Sequence, residues 1–148
     1  MKLRLYLDIC VLCRPFDDQN ALRIRMETDA YYLIMASIYS GRFLPVVSPV
    51  HYAEAESLSE VQEQSQLMEL LKRLNNRQVF NMDNINIRAD QLIAMGFGIA
   101  DAYHLACAEM KSDAFISCDD LLLKRAAMKK IAVKVYNPVE FALKEKLQ

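Results

Sequence analysis

Short apolar runs alternate along this chain with longer amphipathic segments, and that alternation restricts the fold more than any other feature. Leu3, Leu5 and Leu7, with Tyr6 and Ile9, read as a buried strand, and Asp8 stands where that strand should stop. Asn20–Ser40 carries Leu22, Met26, Ala30, Leu33 and Ile34 at helical spacing, with Asp18 or Asn20 as a cap and Gly41 as a stop signal. Leu44–Val47 is a short strand, after which Ser48-Pro49 opens a helix through His51, Glu54 and Leu58. Glu60–Leu74 and Ile85–Met95 read as helices, with a short strand at Val79–Met82 between them. Ile99–Lys111 is a helix, Ala114–Ser117 a strand, Leu121–Lys130 a helix, Ala132–Tyr136 a strand and Pro138–Lys146 a terminal helix. Gly96-Phe97-Gly98 is a turn, because it lacks the third glycine of a dinucleotide fingerprint and the lysine of a phosphate loop. Helical segments long enough for parallel crossovers separate the strands. The expectation is one domain over residues 1–148, a three-layer α/β/α sandwich on a mostly parallel sheet.

Composition bounds the partners. The net charge of −1 argues against a polycation that binds nucleic acid by charge alone. Charge is nonetheless uneven. Acids crowd Glu54–Leu71, whereas Lys111, Lys124, Arg125, Lys129, Lys130 and Lys134 enrich the later part in bases. No apolar run reaches the ~18 residues that would span a bilayer, and the start of the chain lacks a signal-peptide pattern. Cys10, Cys13, Cys107 and Cys118 are too scattered for a secreted disulfide framework. A cytoplasmic protein with reduced thiols is expected.

Four acids fall at comparable places in this plan. Asp8 follows the first strand and Asp119 follows the Phe115-Ile116 strand. Glu54 lies in the first turns of its helix, and Asp101 opens the Ile99 helix. Each alone serves as a turn former, a helix cap or a solvated residue. Caps have no reason to converge, however, and three or four carboxylates on one edge cannot all stay ionised without cations. Oxygen-only ligation suits Mg²⁺ or Mn²⁺, and a pair of such ions ~4 Å apart activates water and stabilises the leaving oxygen of a phosphodiester.

Tyr6-Leu7-Asp8, the Ser48…Ala53-Glu54 segment, Ile99-Ala100-Asp101-Ala102-Tyr103-His104-Leu105-Ala106 and Phe115-Ile116-Ser117-Cys118-Asp119-Asp120 together resemble the acidic segments of PIN-domain nucleases. That family includes the VapC-type toxins of bacterial toxin–antitoxin pairs. The resemblance covers nearly the whole chain and keeps the family's order. It implies Asp8, Glu54, Asp101 and Asp119 as metal-binding acids, and Ser117 as a polar helper beside Asp119. Asp120 is the rival for the fourth place. It further implies a Mg²⁺- or Mn²⁺-dependent endoribonuclease acting on RNA, an antitoxin protein as partner, and homodimers held by helical surfaces. Ile9 and Cys10 stand where the family commonly has a small polar residue. That substitution motivates an alternative, a catalytically inactive module of the same fold that binds RNA or a protein.

Other groups carry weaker signals. Cys10-Val11-Leu12-Cys13 has thioredoxin-like spacing, but its apolar centre reads as buried core thiols. His104 shares a helix side with Asp101, which allows ligation or proton transfer, yet its neighbours Leu105 and Ala106 read as packing; His51 is equally ambiguous. Arg14, Arg23, Lys124 and Arg125 flank the acidic edge as candidates for phosphate contacts.

Overall fold

Alternation of side chains in the first strand dictates the layering. In the computed structural model, which describes residues 1–148, β1 (Leu3–Leu7) turns Leu5 and Leu7 to one face of a sheet and Tyr6 to the other. Its neighbour β3 (Ala114–Ile116) does the same, with Ala114 and Ile116 on the first face and Phe115 on the second. With β2 (Phe43–Pro45) and β4 (Lys134–Tyr136) these form a four-stranded, all-parallel sheet in the order β2-β1-β3-β4. Both faces are covered, as an all-parallel sheet requires.

On the Leu5 face lie α1 (Ile9–Leu12), α2 (Leu22–Tyr39), α4 (Val61–Leu74) and α8 (Pro138–Lys144). They contribute Ile34, Leu67, Leu71 and Phe141 to one core cluster. On the Tyr6 face, α5 (Met82–Ala94), α6 (Ile99–Lys111) and α7 (Asp120–Met128) supply Ile85, Leu92, Leu105 and Leu122 to the other. Between β2 and α4 runs α3 (Pro49–Glu56), capped by Ser48, with Pro49 at its first turn. The result is the three-layer α/β/α arrangement.

Several boundaries differ from the sequence reading for identifiable reasons. Val79–Met82 is not a strand. Asn81 accepts a hydrogen bond from the Asn84 amide and starts α5 at Met82, while Val79 is exposed. Ile9 does not extend β1, because the Asp8 side chain caps a one-turn helix by accepting from the Ile9 amide at 2.8 Å. β2 begins at Phe43 and stops at Pro45, short of the expected Leu44–Val47; the Val46 amide still donates to the Leu5 carbonyl at 2.8 Å, after which the chain turns into the Ser48 cap of α3. Neither Asp18 nor Asn20 caps α2, whose N-cap is Ala21; Asp18 bonds the Asn20 amide instead.

A buried charge ties the helical layer to the sheet edge. Glu27 of α2 is only 1% exposed, and its carboxylate accepts from Arg14 (2.9 Å), Asn137 (2.6 Å) and more distantly Arg23. Arg23 reaches on to the Cys118 carbonyl and to Asp120. Glu27 thereby links α2 to the ends of β3 and β4. Glu27→Ala leaves the half-buried Arg14 guanidinium with Asp17 alone and removes the acceptor of the Asn137 amide, and should lower the unfolding free energy by about 1–3 kcal/mol in urea titrations. A loss under about 1 kcal/mol, the range of exposed pairs, would show the network to be incidental.

Candidate metal centre

The strand order sets where a ligand is held. From β1 the chain crosses to β2 on one side, whereas β3 lies on the other, so the crossovers diverge between the carboxyl ends of β1 and β3. The β1–β3 register pairs Leu7 with Ile116, which leaves Asp8 and Ser117 as the next residues on adjacent strands. The Asp8 amide donates to the Ile116 carbonyl at 2.9 Å, and the Ser117 hydroxyl donates to Asp8 Oδ2 at 2.8 Å. The Cys10 thiol lies 3.4 Å from the same Oδ2.

Two helices complete the group. Glu54 reaches in from the last turn of α3, not from its first turns, because the helix ends at Glu56. His104, one turn beyond Asp101 on α6, places Nε2 2.6 Å from Glu54 Oε2. Asp8, Glu54 and His104 offer ligand atoms that all lie within 4.8 Å of one another, a group able to hold a metal ion. His104 is buried whereas Glu54 remains 32% exposed, so the centre is closed towards the core and open towards solvent. An open groove of about 440 Å³, lined by Val50, Ala53, Met82, Ala100 and Tyr103, borders Glu54.

Asp101 and Asp119 stand around this nucleus. Asp101 has no hydrogen-bonding partner in the protein, and its pKa is pushed up to about 6 by burial first, then by the negative charges of Asp8 and Asp119. Asp119 caps α7 through Oδ1, which accepts from the Leu121 and Leu122 amides, and its own amide donates to Ser117 Oγ at 3.1 Å. Its rival Asp120 turns outward to pair with Arg23. Asp8 is pushed up by burial, against the opposing hydrogen bond from the Ser117 hydroxyl.

The charge balance is what makes a cation fit. Two carboxylate charges no more than 4.8 Å apart repel by at least roughly 3 kcal/mol at an effective dielectric of about 20. No arginine or lysine side chain bonds to these acids. Arg14 is committed to Asp17 and Glu27, and Arg23 to Asp120 and Glu27. A cation held between them would relieve that repulsion, with Asp8 and Glu54 as its oxygen donors. Comparisons with protein-family models, curated proteins and solved structures gave no match to this chain. No helix is long and apolar enough to cross a membrane.

The sequence reading placed His104 with the packing residues. It is packed, yet its Nε2 also bonds Glu54, which brings an imidazole beside a group anticipated as carboxylates alone. Its three-residue spacing from Asp101 was the available signal. Of the cysteine pair, Cys13 is core, but Cys10 belongs to the site. Neither resembles an activated thiol: Cys13 is pushed up to about 12 mainly by burial, and Cys10 is raised by Cys118 and by burial.

Asp101 yields a pH test. Because its folded pKa of about 6 exceeds the ordinary 3.8, the folded state binds more protons than the unfolded one between about pH 4 and 6. This group therefore lowers stability as pH rises through that window and stays unfavourable above it. Metal-free Asp101→Asn should melt above the parent protein at pH 7.5, with the advantage vanishing near pH 4. Mn²⁺ should raise the melting temperature of the parent at pH 7.5 by mass action. An advantage equal at both pH values would contradict the assignment.

Proposed function

We propose that the chain is a PIN-like, divalent-metal-dependent endoribonuclease that hydrolyses RNA phosphodiester bonds. One observation carries the reading. Asp8 at the end of the first strand, Glu54 from α3 and His104 from α6 meet where the crossovers diverge, and the charges of Asp8 and Asp119 reach Asp101. In this reading Asp8, Asp101 and Glu54 hold Mg²⁺ or Mn²⁺, and Asp119 sits at the rim, where it orients water. A bound ion of this kind supplies a Lewis acid and lowers the pKa of a coordinated water. Ser117 fixes Asp8 by donating to Oδ2, and Cys10 adds a weak S–H donor where a hydroxyl would otherwise serve.

The surroundings support a polyanionic substrate. Lys124 and Arg125 are exposed on α7, just past Asp119, and Arg125 lies beside Gly96 in the turn that leads to Asp101. Arg14 and Arg23, by contrast, are engaged in ion pairs, so the sequence reading of them as phosphate contacts gives way to a bracing role. The finer readings, an antitoxin partner and a homodimer, rest on the sequence resemblance.

The test is cleavage of a labelled single-stranded RNA by the purified chain. Cutting should require Mn²⁺ or Mg²⁺, stop in chelator, and fall at least ~100-fold in Asp8→Asn, since metal ligation and charge stabilisation go together. Chelator-resistant cutting would end the proposal. RNA binding without cutting, and unaffected by Asp8→Asn, would favour the inactive binding module instead.

A further inference from the structure

Behind the acids lies a buried polar chain that metal binding alone leaves unexplained. Tyr6, Ser48, His51 and His104 are each no more than 1% exposed. His51 forms one end. Its Nε2 lies 2.7 Å from the Leu7 carbonyl, which only accepts, so Nε2 carries a proton. Its Nδ1 lies 3.0 Å from the Ser48 backbone amide, which only donates, so Nδ1 is bare. Burial lowers the His51 pKa to about 3, consistent with a neutral ring of fixed tautomer.

That fixed end gives the chain a direction. The single Nδ1 lone pair of His51 is already used, so the Ser48 hydroxyl, 3.4 Å away, directs its proton to Tyr6 Oη at 2.7 Å. Cys107, another neighbour of Ser48, is a poor competitor: burial pushes its thiol up to about 11, and neutral sulfur accepts weakly. Tyr6 in turn donates to His104 Nδ1 at 2.6 Å. An imidazole nitrogen that accepts a hydrogen bond holds no proton, so the His104 proton sits on Nε2, which faces Glu54 Oε2 at 2.6 Å. Stacking of the Tyr6 ring on His51 and Phe115, with centroids 4.3 and 5.5 Å apart, holds the hydroxyl in place.

We propose that His51, Ser48 and Tyr6 fix the His104 imidazole with its proton on Nε2, making His104 a positioning residue for Glu54 and not a ligand of the ion. This rests on the metal-site reading only for the task of Glu54; the sense of the hydrogen-bond chain is independent of RNA and of cleavage. Backbone groups at one end thereby set which atom of a side chain at the other end donates to the site, an outer-layer control of the kind that tunes metal affinity.

Imidazole ¹⁵N spectra of the full chain, in chelator and then with Mg²⁺, provide the test. His104 should show a bare Nδ1 and a protonated Nε2 in both conditions, while the Glu54 carboxyl ¹³C signal moves on adding Mg²⁺. Tyr6→Phe should mix the two tautomers and raise the Mn²⁺ dissociation constant about tenfold, and Ser48→Thr, which keeps the hydroxyl, should preserve both. The inference is overturned by a proton on Nδ1, by loss of the Nε2 proton on Mg²⁺ binding, by an unmoved Glu54 signal, or by a Tyr6→Phe protein with parental tautomer and affinity. If Tyr6→Phe does not fold, the spectra of the parent chain decide. A chain that leaves RNA uncut yet shows the Nε2 tautomer and the Glu54 shift would remove the nuclease reading and support this one.

Discussion

Asp8 and Ser117 are neighbours because β1 and β3 are parallel, hydrogen-bonded and end together, and every other part of the centre is arranged around that junction. The backbone bond from Asp8 to Ile116 fixes the height of the carboxylate above the sheet. Divergence of the crossovers at the same place keeps helices off the strand ends and leaves a crevice. Into it α3 and α6 deliver Glu54, Asp101 and His104. The sheet supplies the fixed reference, and the helices supply most of the charge.

That concentration of charge opposes folding wherever it is not matched by a cation. Asp8 is buried among donors, whereas Asp101 lacks any partner and is perturbed the more visibly for it. A chain selected for stability alone would place an arginine here, as it does at Glu27, where two guanidinium groups and an amide satisfy one buried carboxylate. The contrast between these acids, one saturated with donors and the other group left short of positive charge, separates a brace from a binding site within a single sheet edge.

The layered fold was legible because its signals are local. Leu5, Tyr6 and Leu7 alternate between faces, Ser48-Pro49 starts a helix, and the apolar positions of Ile99–Lys111 give the observed bounds of α6. The weakest expectation failed where local signals conflicted: the β-prone Val79-Phe80 pair was overruled by the capping amide of Asn81. In the site, the acids could be named from their places after strands and at helix starts. The reach of Glu54 could not, since it depends on where α3 ends and how that helix leans on α6. The contribution of His104 was masked for a similar reason. A histidine with Leu105 and Ala106 as neighbours looks like filling until the positions of Tyr6 and Glu54 on other elements are known.

The buried face of α6 combines Ala102, Ala106 and Ala108 with Leu105, Cys107 and His104, so three of its six buried side chains are single methyl groups. Small side chains interlock shallowly, so this helix is keyed into the sheet less deeply than one carrying leucine or phenylalanine at those positions. Half of the centre is thus rooted in strands that cannot shift without breaking register, and half rides on a rod seated by Leu105 among small side chains. Drift in that rod's seating over evolutionary time would retune the spacing of Asp101 and His104 from Asp8, and with it the room for any cation between them, while the sheet beneath stayed as it is.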